Sequence, residues 1–490
     1  MKKLFKPIDL TKDNIFKSIM LFSLPILLSY ILQQVYTIAD AAICGQFLNA
    51  NEVAGVNNTS NLVFIVLQFA MGSTAGFSVI TSNMFGQNNK DGIRKSFAMQ
   101  IKLSLYISII LTVLAVLMIN PLLKIIGLEA SSEATQNEIY NSAYTYIFII
   151  YVGIATQIFY NLICSFLRSV GDSITPLVFL LISTVINIIL DLLFIVPFKM
   201  GVSGAAIATV IAQGISAVGC FIYTFIKYKD YRLSLNDFKI DVKSALKHLK
   251  MGMPLALQFS ILAIGLIVMQ SVIVQFDSNE LGVVIRSDAQ NGFGAATKLN
   301  NLLMCPFNAL GTAMLTYCGQ NLGSSDYTRI KKGVNTAILI GIAEYIIFAG
   351  IGLLLTINGA YLHIFYSNDK ITVLAIKFGN SYLYCDLTLY FILGILFIFR
   401  NSVQGVGKPL FPFLAGIGEL TARTLVCLFL PKLFNGATIT TSANTLSLYA
   451  LSMADPSAWT FACIFLLTGG YLYIYSKKAP KRLNIDLNKD

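Results

Sequence analysis

Residues 176–196 read PLVFLLISTVINIILDLLFIV. A run this apolar needs only one helix to cross a bilayer, because about 20 residues rising about 1.5 Å each cover a hydrocarbon core roughly 30 Å thick. Asn187 and Asp191 interrupt it four residues apart, so both side chains fall on one face of that helix. Holding a carboxylate ionised at mid-bilayer depth costs about 2.5 to 3.5 kcal/mol, so Asp191 calls for partners, water or a proton and is a candidate ion site. After Pro197 and a short turn the chain re-enters through Gly201, Gly204, Ala205, Ala206 and Ala208. Such small residues let two helices pack closely, which brings Thr209 opposite the Asn187 and Asp191 face.

The rest of the composition agrees with this hairpin. Of 490 residues, 56% are apolar and only 12% charged, far too apolar for a soluble domain and long enough for about a dozen spans. The net charge of +11 is dispersed among loops and forms no basic patch, which argues against nucleic acid as a partner and for the lipid bilayer. Eight cysteines occur with no CxxC pair, mostly within apolar runs, where Cys acts as a small hydrophobe. The two histidines, His248 and His363, are far apart, and no HExxH, GxSxG or Walker A motif occurs. Neither enzymatic chemistry nor a cofactor is therefore expected, and ATP hydrolysis is not the energy source.

A basic start (Lys2, Lys3, Lys6, Lys12, Lys17) precedes an apolar run from Ile19 to about Cys44. The run is too long for a signal-peptide core and carries Pro25, Gln33, Gln34 and Asp40, so it reads as a retained first span. Further spans are predicted near 57–84, 97–119, 140–167, 176–197 and 203–226. A polar stretch at 227–250 follows, then spans near 252–276, 292–318, 334–357, 378–403, 409–431 and 457–476. The total is twelve, an all-α polytopic membrane protein divided into an amino-terminal lobe (1–226), a connector (227–250) and a carboxy-terminal lobe (251–490). Of 35 Lys and Arg, 27 lie in segments on the side of the N-terminus, and six (Lys124, Lys199, Arg286, Lys370, Lys377, Lys432) lie on the other. By the positive-inside rule both termini are cytoplasmic, and the plasma membrane is the expected location. The stretch 433–458, rich in Thr, Ser, Asn and Ala, reads as an enlarged extracytoplasmic loop.

The two halves echo each other. Ser23-Leu24-Pro25-Ile26 corresponds to Gly252-Met253-Pro254-Leu255, Gly86-Gln87-Asn88 to Gly319-Gln320-Asn321, and Val170-Gly171 through Pro176 to Val406-Gly407 through Pro412. The offsets of 229, 233 and 236 drift slowly, as expected of two parallel six-helix repeats. That arrangement is typical of alternating-access transporters with a site between the halves. Gly72 and Gly76, spaced as GxxxG, read as a close packing surface within the protein.

Pro25 and Asp40, the Gly86-Gln87 turn, Arg168 to Pro176, and Asn187, Asp191, Gly201, Gly204, Ala205 and Thr209 together resemble the multidrug and toxic compound extrusion (MATE) family over essentially the whole chain. The resemblance implies a V-shaped, two-lobed antiporter, expected to act as a monomer, that exports small cationic or amphipathic organic compounds against inward proton or sodium flow. It also implies that Asp40, Asn187, Asp191 and Thr209 bind the coupling ion, with sodium at Asp40 and Asp191 as the metal alternative to a proton, and that Pro25 bends the first span. Depth arithmetic agrees independently: at about 1.5 Å per residue, Asp191, Thr209 and Asp40 lie roughly 9, 12 and 6 Å inside the outer ends of their spans. Two acids so close in a low dielectric do not both ionise, which is the property of a proton carrier.

The second lobe differs. The offset of 236 puts Arg423 and Cys427 where Asn187 and Asp191 sit, with Glu419 one turn before Arg423, read as an i, i+4 structural ion pair. Glu344 and Asp386 are further acids within spans, with Lys298 as a partner for either. Together with Tyr382, Tyr384, Tyr390, Phe391 and Phe397 they would line a cavity for aromatic cations. Family members coupled through the carboxy lobe carry an acid on the seventh span, and residues 252–276 contain none. The alternatives to an antiporter are a lipid-linked saccharide flippase of the same superfamily, which a strongly cationic cavity would favour, and a channel.

Overall fold

The computed structural model describes residues 7–131, 133–239, 241–366 and 371–485. Of the charges used above to orient the chain, Lys2, Lys3, Lys6, Lys370 and Lys489 lie outside the described residues. Among the described residues, nine helices are long and apolar enough to cross a membrane singly, and three bent pairs bring the count to twelve. By packing, the chain divides into two units, Met1–Ser260 with Gly319–Asp326, and Ile261–Cys318 with Tyr327–Asp490. The expected connector at 227–250 therefore packs with the first unit, and the boundary between the units falls inside a helix, at Ser260.

The first unit runs through α1 (Ile15–Phe47), α2 (Ala50–Gly86), α3 (Lys90–Leu117), α4 (Ile119–Ile125), α5 (Ala134–Val152), α6 (Ile154–Ser169), α7 (Ile174–Ile195) and α8 (Gly201–Lys227), and takes in the start of α9 (Val242–Gln275). Several helices start where the sequence offers a cap. Asn49 and Glu52 close a capping box on α2, and Asn14 accepts from the Lys17 amide at 3.1 Å on α1. α1 continues through Pro25, whose ring removes one backbone donor from the ladder. The α5 and α6 pair forms one span bent by 46° at Gly153. Phe97 of α3 stacks on Phe166 of α6, with centroids 3.8 Å apart, in a cluster with Ile93, Leu162 and Cys220.

Small residues decide how closely these helices approach. A Cβ on Gly72 would meet the Leu255 carbonyl at 2.6 Å, and one on Gly76 would meet the Gly252 Cα at 2.5 Å, so the GxxxG face of α2 takes the first turns of α9. His248 docks the same stretch: its Nδ1 donates to the Ser244 carbonyl at 2.8 Å, which leaves Nε2 to accept from the Ser96 hydroxyl at 2.9 Å. The repeated Gly-Gln-Asn turns meet each other, since a Cβ on Gly86 would strike the Gln320 carbonyl and one on Gly323 would strike that of Asn83. The segment before α1 is strapped onto this contact. Ile8 donates to the Gly171 carbonyl, Leu10 donates to Gln320 Oε1, and Asn321 Nδ2 donates back to the Leu10 carbonyl. Leu10 is buried.

The second unit holds the remainder of α9, then α10 (Asp288–Leu303), α11 (Cys305–Gly323, whose last residues belong to the first unit), α12 (Tyr327–Leu355), the single turn α13 (Leu362–Phe365), α14 (Val373–Thr388), α15 (Tyr390–Gly405) and α16 (Leu410–Asn435). α17 (Thr445–Ser452), α18 (Ala454–Gly470) and the short α19 (Ala479–Arg482) end it. Bends of 40° at Met304 and 55° at Leu389 break two of its spans. The expected enlarged loop at 433–458 is mostly helix: α16 continues to Asn435, Gly436 ends it in a left-handed conformation (φ 70°), and the last span begins at Thr445. The polar residues there are helix starters and back-bonders, Asn444 capping α17 at the Ser447 amide and Ser452 donating to the Leu448 carbonyl. All eight cysteines are buried and free.

Candidate functional site

The hairpin of α7 and α8 is built as the small residues imply. Gly201 adopts φ +58°, where a Cβ would also strike Glu52 Oε1, so only glycine suits the turn into α8. Gly204 then lies against Phe194, and Ala205, Ala206 and Ala208 are buried. This sets Thr209 against α7: Asn187 Nδ2 donates to Thr209 Oγ1 at 3.4 Å, and the Tyr36 hydroxyl of α1 lies 3.4 Å from the same oxygen.

Asp191 is fully buried and Asn187 nearly so. The Asp40 carboxyl group, brought by α1, neighbours that of Asp191. Four buried oxygens here, Asp40 Oδ1, Asn187 Oδ1 and both of Asp191, have no hydrogen-bond partner among the described residues. The structure thus brings together all four expected residues and adds Tyr36, one turn before Asp40 on the same helix face. Neutral and acidic oxygens gathered in this way are a donor set for a proton or a small hard cation. Among the described residues no group of three or more His, Cys, Asp or Glu side chains suited to a metal ion occurs.

The second unit rearranges the expected pairs. Glu419 pairs with Arg400 of α15, not with Arg423. Arg423 instead binds Asp455 of α18, with Nε at 2.7 Å and NH2 at 2.6 Å from Oδ1. A buried guanidinium takes the carboxylate that best offsets its desolvation, and here a neighbouring helix supplies it. Tyr382 donates to Asp455 Oδ2 at 2.8 Å. Asn300 of α10 donates to the Tyr382 oxygen at 3.1 Å and to Asp386 at 3.0 Å, and its own carbonyl oxygen accepts from Tyr390. Asp386, Tyr382, Tyr390 and Arg423 therefore form one enclosed network with Asp455 and Asn300. Asp455 falls in the stretch whose composition reads as a loop. The signal that points to it is an acid in the first turn of an apolar helix.

The other expected members lie elsewhere. Lys298 is exposed, 5.5 Å from the centre of the Phe365 ring and 5.8 Å from that of Tyr366, and partners neither acid. Tyr384 and Phe391 are exposed, as suits lipid-facing aromatics, and Phe397 lies against Arg400. Glu344 is half-buried on α12, its Oε2 without a hydrogen-bond partner among the described residues, outside the Asp386 network.

Twelve apolar spans, three of them bent pairs, with unpaired acids buried among them define a polytopic membrane protein with polar sites inside its helical units. The MatE family model matches residues 25–193 and 254–428, and the chain belongs to that family, the MATE transporters. It is 29% identical over 406 residues to the probable multidrug resistance protein YpnP of Bacillus subtilis (strain 168), covering 83% of this chain and 86% of that one. To the probable multidrug resistance protein YoeA of the same organism it is 23% identical over 483 residues, covering 96% and 97%. A crystal structure of a MATE protein in complex with MaL6 superposes with a TM-score of 0.81 at 19% identity, over 98% of this chain and 99% of that one, which shows the shared fold.

Proposed function

We propose that this chain is a secondary active antiporter of the cell membrane that exports cationic or amphipathic organic compounds, drugs among them, in exchange for an inward proton or sodium ion. The names of its relatives YpnP and YoeA, both probable multidrug resistance proteins, support the substrate class. The observation that carries the coupling is the Asp40 and Asp191 pair, whose buried oxygens have no cationic partner among the described residues. A transported ion that neutralises the pair lowers the cost of enclosing it, and its release on the other side completes exchange. The potential supplies about 2.3 kcal/mol per net charge per 100 mV. Asn187, Thr209 and Tyr36 complete the ion's shell. In the second unit Arg423 already neutralises Asp455, and Asp386 accepts from Asn300 in the same network, which favours the first unit's acid pair as the ion site. The distribution of Lys and Arg supports cytoplasmic termini.

The test is purified protein in liposomes, given proton and sodium gradients separately and several fluorescent organic cations. Asp191→Asn is nearly isosteric but cannot change charge, so it should abolish gradient-driven transport while substrate binding persists. If Asp191→Asn and Asp40→Asn both transport at the unmutated rate, while Asp386→Asn or Glu344→Gln does not, the coupling ion belongs to the second unit.

A further inference from the structure

The first unit contains a second polar place, away from the acid pair. A cavity of about 40 Å³ is lined by Ser29, Tyr30 and Gln33 of α1, Met71 of α2, Tyr160, Asn161, Cys164 and Arg168 of α6, and Pro176 and Leu180 of α7. Its polar residues on α6 follow from spacing: 161, 164 and 168 recur at three and four residues, one face of the helix. The lining holds a base and no acid, the reverse of the Asp40 and Asp191 site. Arg168 forms no ion pair among the described residues, and its buried Nε has no hydrogen-bond partner there. Asn161 Nδ2, also buried, is a second donor without a partner among them. Residues with unspent donors, lining a cavity with no carboxylate in its wall, call for an acceptor from outside the protein.

The two places are far enough apart to keep opposite signs. Gln33 precedes Asp40 by seven residues on α1, and Leu180 precedes Asp191 by eleven on α7, about 10 and 16 Å of helix. No ion pair joins Arg168 to Asp40 or Asp191 among the described residues. With about 10 to 15 Å³ needed to hold one water molecule, the cavity has room for an acidic group of a few atoms.

We propose that this cavity is an acceptor subsite in which Arg168, with Asn161 and Gln33 beside it, takes the carboxylate or phosphate group of an amphipathic substrate whose apolar body lies outside the cavity. The inference rests on the export reading and adds acids and zwitterions, held through Arg168, to the cations among its substrates. A guanidinium holds a planar carboxylate through two parallel N–H groups, which an ester cannot match.

The experiment measures binding to the purified, detergent-solubilised full chain, without any gradient, so that failure of ion coupling cannot imitate failure of the subsite. The probes are a fluoroquinolone with a free carboxylate, its methyl ester, and ethidium. The free acid should bind more tightly than the ester. Arg168→Gln should weaken the acid by about 10- to 100-fold and leave the ester and ethidium unchanged. Arg168→Lys should recover part of the acid preference, and Asn161→Leu should give a smaller selective loss, so one poorly folded variant does not decide the matter. Equal weakening of all three probes, or none, shows Arg168 to be a structural residue at a helix end and overturns the proposal. So does Arg168-dependent binding of phosphatidylglycerol in nanodiscs with drug binding unaffected, which would make the cavity a lipid site. Selective acid binding in a protein that fails to exchange substrate for ions would leave the subsite standing and remove the antiport reading.

Discussion

Replacing Asp455 by Asn tests the pairing of the second unit at its most costly point. Arg423 and Asp455 are 5% and 4% exposed, and the carboxylate accepts hydrogen bonds from Arg423 Nε and Tyr382 and an ion-pair contact from Arg423 NH2. Asparagine fits the space but carries no charge, so the change strands a buried guanidinium. Breaking one partner of such a pair costs about 3 to 5 kcal/mol. For a cooperative unit of some two hundred residues, each kcal/mol shifts the melting temperature by about 2 to 4 °C, so a fall of roughly 6 to 20 °C is expected. The assay is the apparent melting temperature of the purified protein in detergent, read by loss of the monodisperse peak on heating. Arg423→Met together with Asp455→Leu removes both charges and should recover most of the loss, since a buried pair is rarely better than packed apolar groups. A double-mutant cycle gives the partner directly: Arg423 should couple to Asp455 and not to Glu419, whose coupling should be to Arg400. A wild-type melting temperature for Asp455→Asn, or strong coupling of Arg423 to Glu419, would refute this reasoning.

Gly171→Ala forces a side chain onto φ +88° and into the Ile8 carbonyl, costing about 1 to 2 kcal/mol in backbone strain alone. The amides of Ile8 and Leu10 should then lose protection from hydrogen exchange, and unchanged protection would show that the strap does not depend on this glycine. For orientation, a cysteine placed on the exposed face of residues 227–239, in a background without accessible thiols, should be shielded from impermeant reagents in intact cells, whereas one replacing the exposed Thr438 should label. The opposite pattern would reverse the assignment of the cytoplasmic side.

Much of this protein is written locally in its sequence. A bilayer rewards apolar runs of one length, so the twelve spans, the small-residue hairpin of α7 and α8, and the depth of Asp40, Asp191 and Thr209 follow from spacing and rise per residue. The glycines at 72, 76, 86 and 323 are marks of close approach, although what they approach is not stated in the sequence. Partner choice was decided only by the tertiary structure. An i, i+4 spacing makes Glu419 and Arg423 neighbours on a helix surface, but both are buried, and a buried charge pairs with whichever opposite charge the packing brings within hydrogen-bond distance. Those are Arg400 and Asp455, from other helices. Likewise, a Thr- and Ser-rich stretch looks like a loop until its hydroxyls are seen bonded to helix carbonyls, and an arginine at the end of α6 looks like an ordinary loop charge until its cavity is seen. The backbone hydrogen bonds of a span are satisfied within the span and can be read there, whereas the partners of its polar side chains lie on other helices and depend on the packing of the whole unit.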